Sequence, residues 1–132
     1  MVIALILTVF LLGASAQGDR HSPSAAASGA QSFKTYCASC HGTGAKGDGP
    51  LAEHLKVLPA DLTAISQRNG GQFPFDDVRK KIDGRESVAG HGTTDMPVWG
   101  DAFKQSVEGY SEKAVKARID ALVEYLKSIQ AK

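Results

Sequence analysis

Two cysteines and a histidine fall within five residues of one another, at Cys37-Ala38-Ser39-Cys40-His41. At the end of a helix, positions i and i+3 face one way, so the two thiols can reach one flat partner side by side. Two thiols so placed can add to the two vinyl groups on neighbouring pyrroles of one porphyrin. The next residue then turns its imidazole toward the iron. C-x-x-C-H is the pattern of covalent c-type haem attachment, and the thioethers remove any need for a large non-covalent affinity. Two other chemistries use the same cysteines. A bare C-x-x-C serves as a redox dithiol, but that site needs a βαβ setting, which is absent here. A structural zinc wants four ligands, and the chain has only two cysteines, so His54 and His91 would both have to be recruited. The adjacent His41 and the glycine-rich stretch after it favour haem.

An iron held by His41 leaves its sixth position to a sulfur or imidazole arriving from the far side of the porphyrin, late in the chain. Asp95-Met96-Pro97-Val98-Trp99-Gly100 is the best candidate, because the only other methionine is Met1. A thioether favours Fe(II) and so raises the reduction potential. Pro97 stiffens the segment and holds Met96 extended. A lone methionine also serves as core filler, but a Gly-rich, Pro-flanked loop is a poor place for one. His91, in Gly90-His91-Gly92, is the rival ligand and would give a low-potential bis-imidazole iron. Met96 is favoured on ligand type and setting. His21 and His54 read as surface residues.

These residues must be positioned by short elements. Phe33, Tyr36, Cys37 and Cys40 fall on one side of a short helix over residues 30–40. Residues 41–50 hold four glycines and Pro50, which predicts a wrapped loop. Residues 51–57 predict a helical turn or two. Pro59-Ala60-Asp61 breaks the chain, with Asp61 able to cap a helix over Leu62, Ile65 and Ser66 that Asn69-Gly70-Gly71 ends. Phe75 to Ile82 predicts a further helix closed by Asp83-Gly84. Residues 87–100 read as irregular. The clearest element is a helix capped by Ser111, with Val115, Ile119, Leu122, Val123, Leu126 and Ile129 in one stripe. No stretch alternates with period two, so the expected class is all-α: short helices and Gly-rich loops wrapped round one haem. The loops carry few apolar residues for a self-sufficient core, and long ordered loops usually wrap something.

The N-terminus reads apart from this domain. Val2 to Leu12 is an unbroken apolar run, followed by Ala14-x-Ala16, the small-residue pattern of a leader-peptidase site. The run is shorter than the about 20 apolar residues that span a bilayer. No Lys or Arg precedes it, and an uncleaved anchor is the alternative. Residues 1–16 are therefore expected to be a signal peptide, 17–29 a Ser/Ala/Gly-rich flexible linker, and 30–132 the folded domain. Fifteen basic against fourteen acidic side chains leave a net charge of +1, which argues against a nucleic-acid partner. Membrane association would follow only if residues 1–16 stayed in place.

In Cys37-x-x-Cys40-His41, Gly47-Asp48-Gly49-Pro50, Pro59-Ala60-Asp61-Leu62, Met96-Pro97-x-Trp99-Gly100 and the C-terminal helix, the chain resembles the class I, mono-haem cytochromes c of bacteria. The resemblance covers residues 33–126. It implies a cytochrome c fold in which the first and last helices cross beside the haem, with Gly29 or Ala30, Phe33 and Tyr36 meeting Leu122, Tyr125 and Leu126. It implies one covalent haem c, with His41 and Met96 on the iron and Cys37 and Cys40 as thioethers. It also implies a proline carbonyl, on Pro50, accepting the N–H of His41, and Trp99 and Phe103 lining the methionine side. The function implied is single-electron transfer in the periplasm, in brief contact with redox proteins such as a dehydrogenase, an oxidase or a cytochrome complex of a respiratory chain, rather than enzymatic turnover. A dedicated subunit of a dehydrogenase or oxidase complex, and a haem-based peroxidase or gas sensor, are the alternatives.

Overall fold

A computed structural model describes residues 23–85, 96–105 and 111–132, and places them in helices, turns and loops with no strand among them. In chain order the helices are α1 (Pro23–Tyr36), α2 (Ala38–His41), α3 (Ile65–Arg68), α4 (Phe75–Asp83), α5 (Trp99–Gln105) and α6 (Glu112–Ser128). Short 3₁₀ turns lie at Ala52–His54 and Leu62–Ala64. The all-α expectation holds. The expected leader over 1–16, the first part of the linker, His21 and His91 lie outside the described residues.

The frame is α1 laid across α6, the most extensive helix contact among the described residues. α6 forms where its periodicity predicts. Ser111 caps it, its Oγ accepting from the N–H of Ala114 at 3.1 Å. The stripe of Val115, Ile119, Leu122, Val123 and Leu126 is buried, and each such side chain contributes about 1.5–3 kcal/mol. Phe33 fills the α1 side, its ring 5.3 Å from that of Tyr125. Gly29 sits at the crossing: a Cβ there would lie 1.9 Å from the carbonyl oxygen of Ala121. The expected meeting of Gly29 and Phe33 with the last helix is therefore observed. Tyr36, by contrast, places its ring against Trp99 (5.6 Å) and Phe103 (5.3 Å) of α5.

Three expectations need correction. Residues 23–29 are not linker but the first turns of α1. A Ser/Ala/Gly composition suits a flexible linker and equally a helix whose packed face must be small, and the close approach at Gly29 demands the latter. The helix expected over 30–40 is broken at Cys37, whose φ of −115° separates α1 from α2. Finally, α5 begins at Trp99, inside the stretch expected to be irregular.

The remaining predicted elements appear. The carboxylate of Asp61 accepts from the N–H (2.8 Å) and hydroxyl (2.6 Å) of Thr63, and these bonds hold it below the usual carboxylate range. The turn that it caps runs into α3, which Asn69 closes. Gln130 ties the chain's end to this region. Its side chain donates to the carbonyls of Leu62 and Leu126 and accepts from the N–H of Ser66. α4 ends on Gly84, whose φ of +68° is the left-handed region that favours glycine.

Candidate haem-binding cleft

α2 is four residues long, and such a helix leaves all its carbonyls without helical partners. The glycine-rich loop supplies them. The N–H of Gly42 donates to Ala38, that of Leu51 to Ser39, that of Gly49 to Cys40 and that of Gly47 to His41, at 2.9–3.1 Å. This wrap requires glycine at position 49, where a Cβ would lie 2.5 Å from the Ser39 carbonyl oxygen and 2.7 Å from that of Ala38. The N-terminal side is equally fixed: the N–H of Cys37 donates to Phe33 and that of His41 to Cys37, both at 2.9 Å. The C-x-x-C-H segment is thus held along its whole length by backbone bonds. Its side chains stay half-buried and available.

The loop then returns to the front of α2. The N–H of Leu62 donates to the carbonyl of Ala45 at 2.7 Å. That bond brings Pro59-Ala60 to the ring of His41, where Nδ1 lies 3.4 Å from the Ala60 carbonyl oxygen. The acceptor expected on Pro50 is therefore on Ala60. Pro50 follows the glycine that presses on the back of α2, and it lies exposed, away from the ring. With Nδ1 donating to Ala60, Nε2 carries the free lone pair, the tautomer a metal needs. Burial lowers the His41 pKa, outweighing the opposite pull of the Ala60 bond, so the imidazole is neutral near pH 7.

Cys37, Cys40 and His41 line a cleft of about 340 Å³ together with Tyr36, Met96, Pro97 and Trp99. Its remaining wall is Leu55, Val57, Leu58, Pro59, Ala60 and Leu62, with Lys81 the one ammonium. Five of the six predicted site residues are thus gathered around one space, and Pro50 is the exception. Trp99 is fixed by its ring contacts with Tyr36 and with Phe103 (5.4 Å). His54 points outward beside Glu53, consistent with its reading as a surface residue. Leu55, Val57, Leu58, Pro59, Ala60, Leu62 and Lys81 were not anticipated as lining. The Pro59-Ala60-Asp61-Leu62 motif was visible, but its distance in sequence from His41 gave no sign of contact.

The cleft suits a large, flat, mostly apolar group. Val57 and Leu58 stand 61% and 73% exposed on its rim, an arrangement that a soluble protein rarely leaves uncovered. The two sulfurs are not joined to each other in a disulfide. Burial, with the neighbouring Cys40, pushes the Cys37 thiol up to about 12. A redox dithiol needs the opposite, a thiol lowered toward neutrality. Among the described residues no group of three or more His, Cys, Asp or Glu side chains could hold a metal ion; His91, which the zinc reading would recruit, lies outside them. A larger cleft of about 590 Å³ lies between α4 and α6. Its walls are Arg79, Lys80, Asp83, Arg85, Glu112, Lys113 and Lys116 with the single apolar Ile119, a mostly charged lining unsuited to the faces of a porphyrin.

No helix among the described residues is long and apolar enough to cross a membrane. Comparison with curated proteins and with solved structures gave no match. The family model described as cytochrome c matches residues 26–130, from the first turns of α1 to the end of α6. The chain therefore belongs to the cytochrome c family, haem-based electron carriers that bind haem c and its iron covalently.

Proposed function

We propose that this protein is an exported, single-haem electron carrier in which Cys37 and Cys40 form the thioethers and His41 and Met96 are the two axial ligands. The observation that carries the reading is the cleft itself. Met96, from the segment before α5, and His41, from α2, line the same apolar space as both cysteines. When bound, the haem supplies an iron that alternates between Fe(III) and Fe(II).

The chain's own part is to keep the site unchanged while the electron passes. The backbone bonds around α2 fix the direction of the His41 ring, and the Ala60 carbonyl fixes its tautomer. Tyr36, Trp99 and Phe103 form one aromatic cluster on the side from which Met96 enters. Leu55, Val57, Leu58 and Leu62 give the cleft an apolar wall. With His41 and Met96 both bound to the iron, no site would remain open to peroxide or a gas.

Partners are redox proteins, such as a dehydrogenase, an oxidase or a cytochrome complex. They bind briefly through a patch at the small end of protein interfaces, below about 1,200 Å² in total. With a net charge of +1, long-range steering is modest and the transfer rate depends weakly on salt. The apolar run and Ala14-x-Ala16 of residues 1–16 support export to the periplasm.

Absorption spectra of the purified protein, oxidised and reduced, with and without carbon monoxide, test the assignment. The expected result is a weak long-wavelength sulfur-to-iron band in the oxidised form and a reduced spectrum that carbon monoxide leaves unchanged. An absent band with ready carbon monoxide binding would remove Met96 from the iron and bring the gas-sensor or peroxidase reading forward.

A further inference from the structure

If Met96 is the sixth ligand, something must hold it in place, because it lies outside any helix and no covalent bond fixes it. The contacts around residues 98–100 show what does. A Cβ on Gly84 would lie 3.3 Å from the Cα of Val98. A Cβ on Gly100 would lie 2.4 Å from both Arg85 Nε and Asp83 Oδ1. The end of α4 and the start of α5 therefore pack closely: Val98 lies on Gly84, and the Asp83 and Arg85 side chains lie directly on the backbone of Gly100.

Arg85 stands at the centre of this contact. Its Nε and Nη2 donate to the two carboxylate oxygens of Asp83, at 2.6 and 2.9 Å. Its Nη1 donates to both oxygens of Glu112, in the first turn of α6, at 3.0 and 2.8 Å. Lys104 of α5 approaches the same Glu112 at 3.5 Å. One guanidinium thus joins the end of α4 to the start of α6 while pressed against the second residue of α5. An isolated surface ion pair contributes little. This one differs: the Arg85 and Asp83 side chains are three-quarters buried, and the fork takes one carboxylate at each end. None of these residues is among those that line the cleft.

We propose that Arg85, clamped between Asp83 and Glu112 beneath Gly100, is the positioning residue that holds the Met96 segment on the iron. The proposal rests on the reading of Met96 as the sixth ligand. It makes the strength of the methionine bond depend on a polar cluster outside the cleft. Lysine cannot replace arginine here, because a single ammonium lacks the planar fork that engages both carboxylates.

The test is imidazole titration of the oxidised, haem-bearing full chain, since imidazole must displace Met96 to bind. Arg85→Lys is compared with Glu112→Gln, which keeps the shape and removes the charge of an exposed partner. Val123→Ala, a void in the α6 core, serves as a comparison for general destabilisation. Arg85→Lys is expected to bind imidazole about 10-fold more tightly than the parent, the equivalent of about 1.4 kcal/mol. Its sulfur-to-iron band should weaken and its reduction potential fall. Glu112→Gln should show a smaller change in the same direction. Val123→Ala should lower the thermal midpoint at least as far, with imidazole affinity within about twofold of the parent. Unchanged imidazole affinity in both Arg85→Lys and Glu112→Gln overturns the proposal. So does a change that simply tracks lost stability across all three variants. If the parent itself lacks the sulfur band and binds imidazole as Met96→Ala does, the ligand assignment fails first, and that result is distinct from the other two.

Discussion

Gly29→Ala puts the α1/α6 crossing under direct test. The added methyl would lie 1.9 Å from the Ala121 carbonyl oxygen and 2.9 Å from the Cβ of Tyr125. A relaxed carbon–oxygen contact needs about 3.3 Å, so the helices must separate by more than about 1 Å. The obstructing atom belongs to the backbone, and no rotamer change relieves it. The same seam holds Phe33 and its ring contact with Tyr125, which separation would loosen. Overpacking of this kind costs about 1–3 kcal/mol, and a backbone clash belongs in the upper half of that range. Alanine recovers about 1 kcal/mol over glycine in a helix interior. The net loss is about 1–2 kcal/mol, or a fall of roughly 4–16 °C in the thermal midpoint of a domain of this size. Thermal unfolding of the haem-bearing protein, followed by far-ultraviolet circular dichroism, measures it. Ser28→Ala, one residue away on the exposed side, is the companion variant and should gain a few tenths of a kcal/mol from helix propensity. If Gly29→Ala proves as stable as the parent, α1 does not cross α6 at this residue and the reasoning is refuted.

Ser111→Ala removes the acceptor for the Ala114 N–H and should cost about 1 kcal/mol in denaturant unfolding, with Ser111→Asp restoring most of it; an unchanged midpoint would mean that the cap contributes nothing. Asp83 is held below its ordinary pKa chiefly by the hydrogen bond from Arg85. Its ionised form therefore contributes stability above the unfolded-state value, near pH 4, and that contribution disappears as the pH falls through the lower folded-state value. The stability gap between the parent and Asp83→Asn should accordingly narrow on acidification below about pH 4, and a gap constant with pH would sink the argument.

What was legible in the sequence is what depends on near neighbours. α6 could be read because its buried stripe repeats at helical spacing and a serine stands at its start. The Asp61 turn and the α4 terminus at Gly84 could be read because capping chemistry acts within one to four residues. The paired thiols and His41 could be read because their spacing is itself the chemistry. The start of α1 was not legible: residues 23–29 fold as helix because Gly29 meets Ala121, a contact made ninety-two positions away. α5 is short, with a glycine at its second position. That glycine weakens every local helix signal and has its reason only in Arg85 and Asp83. Ala60 carries its role on a backbone carbonyl, which any residue type possesses, so its identity could not announce it.

The same distinction separates the two sides of the cleft. The cysteine and histidine side is held by backbone bonds that all fall between Phe33 and Leu62, most of them spanning ten residues or fewer. Such bonds cost little chain entropy to form. The methionine side is held by contacts among residues 83–85, 98–100 and 112, and by aromatic rings from α1 and α5. These require the whole α1, α4, α5 and α6 frame to be in place. The proximal half of the site is therefore nearly a local property of the chain, while the distal half is a property of the tertiary fold. A change at Arg85 acts on the start of α5, close to Met96, whereas His41 is held by its own loop. The Met96 side is accordingly where this fold can be tuned, and substitutions at the junction of α4, α5 and the start of α6 should be read first for their effect on that side of the cleft.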